Sequence, residues 1–284
     1  MLLCTYIFLD RAIMNIINKK HMNLELQKDS FVNASPFPHI ILDDFLDPAY
    51  FLEIQKILEN NKNSISGRKF ETKYEHNKWI SLNSALPDAV ENIVTVLISD
   101  NWVKNLIRLS GIKTLQSTPH GNTKLANYHT MEPGGILTSH VDHSSEPVSG
   151  IPHVMNIIIY LTKDWDLSKG GGTLLYDKTG KHVIKKVEYK GNRAVLFLHT
   201  PYSFHGVEKI DGSSPKNRKT IYVDYYSNSF IPYKDFDLNF ANKWFYHGTV
   251  FKLKSIFQYF SVKGWPYTKA NIQYHLNRYK SKLK

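Results

Sequence analysis

Met155-Asn-Ile-Ile-Ile-Tyr-Leu161 is apolar nearly throughout and dense in β-branched residues, which predicts a central strand covered on both faces. The same texture surrounds it. Short runs of Val, Ile, Tyr and Thr, broken by Gly, Pro, Asn and Ser, predict eight strands at 124–130, 137–142, 153–161, 173–176, 183–189, 194–199, 204–210 and 218–226. Eight strands within roughly 100 residues argue for a mainly β chain whose core is a double-stranded β-helix, or jelly roll, a fold that limits exposed edges.

Upstream the period changes. A short strand at 39–42 leads into a helix that Asp47 caps and Pro48 begins, with Phe51, Ile54 and Leu58 on one face. Two more helices are expected at about 88–99 and 101–111, the second stopped by Gly111. These give the jelly roll flanking helices. The expected division is an N-terminal extension at 1–36, a catalytic-type domain at 37–230 and a C-terminal extension at 231–284. Within the domain, 37–112 is helical support and 113–230 the jelly-roll core. The last segment is aromatic and basic, with Val250, Phe251, Leu253, Ile256, Phe257 and Phe260 spaced as in a docked helix.

Composition excludes several classes. One cysteine, Cys4, cannot form an intrachain disulfide or a Cys-based zinc knuckle, so a reducing compartment, the cytoplasm, is expected. Residues 1–10 are apolar but lack the basic start and small-residue cleavage pattern of a signal peptide, and Met14 or Met22 could serve as starts. No apolar run approaches the ~18 residues of a membrane span. The net charge of +11 is scattered rather than gathered into an arginine-rich block, so nucleic acid is not an expected partner. No Gly-x-Ser-x-Gly elbow supports acyl transfer, and the glycines at 170–172 lack the Lys-Ser/Thr ending of a phosphate loop. Asp43/Asp44 and Asp164/Asp166 read as solvated caps at helix or loop edges.

The chemistry lies in Ser139-His-Val-Asp-His143. On a strand, alternate side chains share a face, so His140 and Asp142 can hold one ion while Val141 and His143 point away. Alone the pattern is weak, because a chain with 13 histidines carries such a match by chance. Its order with other elements is what makes it specific. It precedes Lys169-Gly-Gly-Gly-Thr-Leu-Leu-Tyr-Asp177, then Ser203-Phe-His-Gly-Val207, then Arg218-Lys-Thr220 at the head of the last strand.

Taken together, His-x-Asp, Gly-Gly-x-Thr, His-Gly-Val and Arg-x-Thr resemble the iron(II)/2-oxoglutarate-dependent dioxygenases, in particular their prolyl-4-hydroxylase-like branch. The resemblance spans roughly 37–227 and is strongest over 125–226. It implies Fe(II) held by His140, Asp142 and His205, which leaves open positions on the metal's opposite side. It also implies 2-oxoglutarate as co-substrate, with ascorbate as a candidate reductant. Arg218 would meet the far carboxylate with its planar fork, Thr220 would add a hydroxyl from the same strand face, and Tyr128 would hydrogen-bond the co-substrate. The interval from His205 to Arg218 is slightly long for the family, so Lys216 and Lys219 stay open as alternatives to Arg218. The activity implied is hydroxylation of an unactivated C–H bond with dioxygen. The substrate would be a peptidyl or free amino acid, or a glycan or small metabolite.

Asn156 in an apolar strand needs a partner and is expected to line the pocket. His129, His143, His153 and His199 flank the region, and one of them could orient a ligand. The loop at 144–152 is expected to govern access. The competing readings are a non-catalytic jelly-roll binding module and a cupin-like metalloenzyme that does not use 2-oxoglutarate. Neither needs a deep arginine. The residues leave the oligomeric state open.

Overall fold

The structure is a computed structural model that describes residues 16–61, 67–72, 74–117, 127–142, 146, 151–200 and 202–228, together with the backbone of 245–246 and 249–250. Strands β1 (His39–Asp43), β2 (Arg68–Phe70), β3 (Glu75–Ser81), β4 (Gln116–Ser117), β5 (Tyr128–His140), β6 (His153–Tyr160), β7 (Thr173–Tyr176), β8 (Val183–Val187), β9 (Arg193–Leu198), β10 (His205–Val207) and β11 (Arg218–Tyr226) form one antiparallel sheet. Its path runs β1-β9-β6-β11-β5-β10-β7-β8, with β3 also on β5, β2 on β3 and β4 on β11.

The path folds over at β5. Residues Tyr128 to Met131 pair with Ile221 to Arg218 of β11, whereas Leu137 and His140 pair with Val207 and His205 of β10. One strand therefore joins two layers of the folded sheet, a large sheet of β1, β9, β6 and β11 and a small sheet of β10, β7 and β8. The turn between them falls at Pro133-Gly134-Gly135, where Gly134 has φ +80° and its N–H donates to the Ile210 carbonyl at 3.0 Å. That backbone conformation strains any residue with a Cβ. The two expected strands at 124–130 and 137–142 are thus one bent strand, ending at His140, with 124–126 outside the described residues.

Strand β6 is buried along its whole length and carries two cores on its two faces. Met155, Ile157 and Ile159 join Ala194, Leu196, Leu198, Ile221 and Val223 in a core that faces the helices. Ile158 and Tyr160 point into the roll with Val195, Phe197, Leu175 and Val207. The alternation is the period of two that a doubly covered strand must show. Helices α2 (Pro48–Asn60), α3 (Asp88–Leu97) and α4 (Asp100–Ser110) close the first core, with Asp47 capping α2 through Ala49 N at 2.9 Å. Phe51, Ile54 and Leu58 are its buried face, as their spacing predicts.

Residues 16–36, read above as an extension, contribute Ile16, Ile17, Leu24 and Phe31 to the helix-side core; Phe31 sits in the short helix α1 (Lys28–Val32). The hairpin of β2 and β3 was not expected from sequence. Of the segment 231–284, only two short paired strands, Phe245–Tyr246 and Thr249–Val250, are described. The expected docked helix therefore lies outside the described residues. No described helix is long and apolar enough to cross a membrane.

Strand β1 is tied to β9 by a two-pronged ion pair, Arg193 Nε and Nη2 to Asp43 Oδ1 and Oδ2 at 2.6 and 3.1 Å. The bond to Arg193 holds the Asp43 carboxyl below its ordinary range, against the opposing effect of burial. A depressed carboxyl pKa adds stability above its unfolded value and loses it as pH falls through the folded one. Asp43→Asn should therefore lower stability at pH 7, by at most about 1 kcal/mol because the carboxylate is 41% exposed. Urea unfolding at successively lower pH should show the difference from the parent shrinking. A difference that persists in strong acid would contradict the assignment.

Candidate metal centre

Three side chains converge at one end of the roll. His140 and His205 are register partners across β5 and β10, and their ring centroids lie 4.4 Å apart. Gly206 makes this approach possible, because a Cβ there would sit 2.7 Å from the Leu137 carbonyl oxygen. Asp142 follows the end of β5, with Val141 fully buried on the opposite side. The ligand atoms of His140, Asp142 and His205 lie within 4.8 Å of one another, the only such group of three among the described residues.

The hydrogen bonds prepare these atoms for a cation. His140 Nδ1 lies 2.8 Å from the Thr138 carbonyl oxygen and His205 Nδ1 3.0 Å from that of Ser203. A carbonyl can only accept, so each Nδ1 carries the proton in the neutral ring and each Nε2 keeps a lone pair. Those Nε2 atoms are 3.4 and 3.3 Å from Asp142 Oδ1 and Oδ2. Three acceptors facing one another at that distance are satisfied by a shared cation. Burial raises the Asp142 carboxyl, but the His205 and His140 rings, when protonated on Nε2 as well, would donate to it and hold it well below the usual carboxylate range; a bound cation would take the place of those protons.

Around the carboxylate stand Asn156 and Tyr222, both donating to Asp142 Oδ2, at 2.8 and 2.7 Å. His199 Nε2 lies 3.2 Å from the Asp142 carbonyl oxygen, while its Nδ1 meets the His153 carbonyl oxygen at 3.0 Å. His153 and His199 stack at 4.2 Å. Burial, with the charges of Asp142 and Asp224, pushes the Tyr222 phenol well above its ordinary value, so it remains a donor.

The second half of the site lies farther along the roll. Arg218 is buried, with Nε donating to the Gly171 carbonyl oxygen at 2.7 Å. Its guanidinium carbon lies 5.3 and 5.1 Å from the ring centroids of Tyr160 and Tyr189. Among the described residues the buried Nη2 has neither a hydrogen-bond partner nor a carboxylate paired with it. Burial draws the guanidinium below its usual range, which the two tyrosines partly offset. A buried cation without a counter-ion is costly, and an anionic ligand would remove that cost. Tyr160 OH and Thr173 Oγ1, 2.5 Å apart, add hydroxyls beside it.

Not all of these residues were named from the sequence. Thr220 sits on the roll face of β11, on the rung of Tyr160. Tyr128 does not join the group: its ring belongs to the helix-side core, because its strand partner Ile221 faces that way. His129, one position on, takes the roll face instead and stacks on Tyr222 at 5.5 Å. Lys216 is turned outward, its Nζ donating to the carbonyl oxygens of Lys163 and Asp164. His143 and most of the loop at 144–152 lie outside the described residues. Tyr160, Thr173 and Tyr222 were missed. Tyr222 was within reach, since a period of two from Arg218 through Thr220 leads to it.

Residues 123–226 match the 2OG-Fe(II) oxygenase superfamily. The fold is similar to a prolyl hydroxylase from Trichoplax adhaerens, solved with a hypoxia inducible factor peptide fragment, at 14% identity and TM-score 0.54 over 74% of this chain and 91% of that one. It is also similar to a prolyl-4-hydroxylase from Pseudomonas putida, at 12% identity and TM-score 0.53 over 72% of this chain and 100% of that one. No curated protein matches the chain in sequence.

His205→Ala should weaken Mn(II) binding at least tenfold by calorimetric titration, whereas Lys216→Ala should leave both metal and 2-oxoglutarate binding unchanged. Equal losses in the two variants would contradict the placement of the site.

Proposed function

We propose, from the premise that residues 123–226 belong to the 2OG-Fe(II) oxygenase superfamily, that this chain is a 2-oxoglutarate-dependent hydroxylase with a prolyl-4-hydroxylase-like site. The observation that carries the reading is the pairing of an acceptor-only cluster, His140, Asp142 and His205, with a buried guanidinium in the same roll that finds no counter-ion among the described residues.

The donor set fits a divalent metal: two neutral imidazole nitrogens and one carboxylate, with nothing soft in the set. Ferrous iron, when bound, supplies the dioxygen chemistry that couples 2-oxoglutarate decarboxylation to C–H oxidation. The chain's own part is binding and shielding. His140 and His205 present Nε2, and Asp142 contributes a negative charge. Arg218 offers its Nη2 edge to the far carboxylate of the co-substrate, with the Tyr160 and Thr173 hydroxyls as further donors. Thr220 lies on the same face. Phe197, Leu175, Ile158 and Val207 line the roll with apolar surface and keep water from the interval between the two ends. Phe197 packs 4.8 Å from the His205 ring.

The substrate we propose is a peptidyl or free amino acid, with a glycan or small metabolite as the alternative, oxidised at an unactivated C–H bond. Asp142 supports hydroxylation over halogenation, because it fills the position a halide would need. The reducing cytoplasm is the proposed location, on the strength of the lone Cys4.

Purified protein given Fe(II), ascorbate and 2-oxoglutarate should release succinate, slowly without substrate and faster when a metabolite and peptide screen supplies one. Arg218→Ala should raise the concentration of 2-oxoglutarate needed by about 100-fold or more, the cost of a lost charge-assisted bidentate pair, and should leave metal affinity intact. Succinate release indifferent to Arg218 would remove the co-substrate assignment.

A further inference from the structure

On the reading that His140, Asp142 and His205 hold a divalent metal, we propose that Tyr222 and Asn156 are positioning residues that together occupy Asp142 Oδ2 and leave Oδ1 as the one oxygen offered to the metal. The need for such a clamp comes from where Asp142 sits. His140 and His205 belong to paired strands, but Asp142 lies beyond the end of β5, outside regular structure. Its main chain is held by His199 at 3.2 Å, and its carboxylate by side chains from the opposite sheet.

Tyr222 OH donates to Oδ2 at 2.7 Å and Asn156 Nδ2 donates to the same atom at 2.8 Å, while hydroxyl and amide also touch each other. A carboxylate oxygen has about two lone-pair directions, so two donors saturate it. Oδ2 also lies 3.3 Å from His205 Nε2, but that nitrogen carries a lone pair when Nδ1 donates to Ser203. Oδ1 receives no such pair of donors and faces His140 Nε2 at 3.4 Å.

Both clamp residues come from the rigid middle of the large sheet. Asn156 is fully buried on β6, between Asp224 of β11 and Phe197 of β9. Tyr222 is on β11 with its ring stacked on His129 at 20°. It shares the roll face with Arg218, four residues away, or about 13 Å along a strand. One strand thus fixes both the anion anchor and the ligand clamp, and with them the interval a dicarboxylate must bridge. An Asp142 limited to one oxygen keeps a further coordination position open for that bridge, where a carboxylate free to turn would cover it with its second oxygen.

Co(II) titration of the full chain, without co-substrate, tests this by two readouts: calorimetric affinity, and the visible absorption of bound cobalt, which reports coordination number. Tyr222→Phe keeps the ring and its stacking, and Asn156→Ser keeps a small polar side chain. Each should weaken Co(II) binding by about 10- to 100-fold, the usual effect of removing a group that orients a ligand. Each should also shift the cobalt spectrum as Asp142 binds through both oxygens, with thermal unfolding of the metal-free proteins as the control for folding. Parental affinity and spectrum in both variants would overturn the clamp while leaving the metal site standing. If Tyr222→Phe does not fold, Asn156→Ser decides by the same two criteria. A parent chain that fails to bind Co(II) overturns the metal reading, and the clamp with it.

Discussion

The register of His140 against His205 is the constraint on which the rest of the structure depends. That pairing exists only because β5 leaves the large sheet at Pro133-Gly134-Gly135 and continues in the small one. Had the strand run straight, His140 would have no imidazole opposite it and Asp142 would project beyond the sheet edge. The bend is held by the Gly134 N–H on Ile210 and by Asn77 Nδ2, which donates to the Pro133 carbonyl at 2.9 Å. Backbone geometry, rather than any single ligand, therefore assembles the cluster.

Electrostatically the roll interior is incomplete in two places of opposite sign. At one end three acceptors face one another; at the other a buried guanidinium has no counter-ion among the described residues. Each arrangement costs stability, and such costs persist where ligands repay them. A dication and a dicarboxylate would answer both, and the apolar residues of the roll, Ile158 and Phe197 among them, offer little to compete for either. The groups that orient the ligands are themselves bonded to main chain or to each other, which narrows the freedom of the site before anything binds.

Much of this was legible in the residues. The strands at 173–176 and 218–226 and the capped helix after Asp47 follow from period and punctuation alone, whereas Asp142 lies beyond the end of the strand expected to carry it. Tyr128 was expected beside the co-substrate on the resemblance alone, and the face it takes depends on a register that no local pattern gives, where a shift of one residue reverses the face. The merging of two expected strands into β5 escaped notice because Pro-Gly-Gly reads as a chain break when it is only a change of sheet. Residues 16–36 read as an extension outside the domain, yet Leu24 and Phe31 are fully buried. Contacts such as Tyr222 with Asp142 join positions far apart in the chain, and no local pattern announces them.

The central claim is tested most directly by a crystal structure of the protein with Mn(II), a redox-stable stand-in for Fe(II), and 2-oxoglutarate. The account predicts Mn(II) on His140 Nε2, His205 Nε2 and one oxygen of Asp142, with the far carboxylate of 2-oxoglutarate on Arg218. Metal bound elsewhere, or a co-substrate whose far end avoids Arg218, would contradict it.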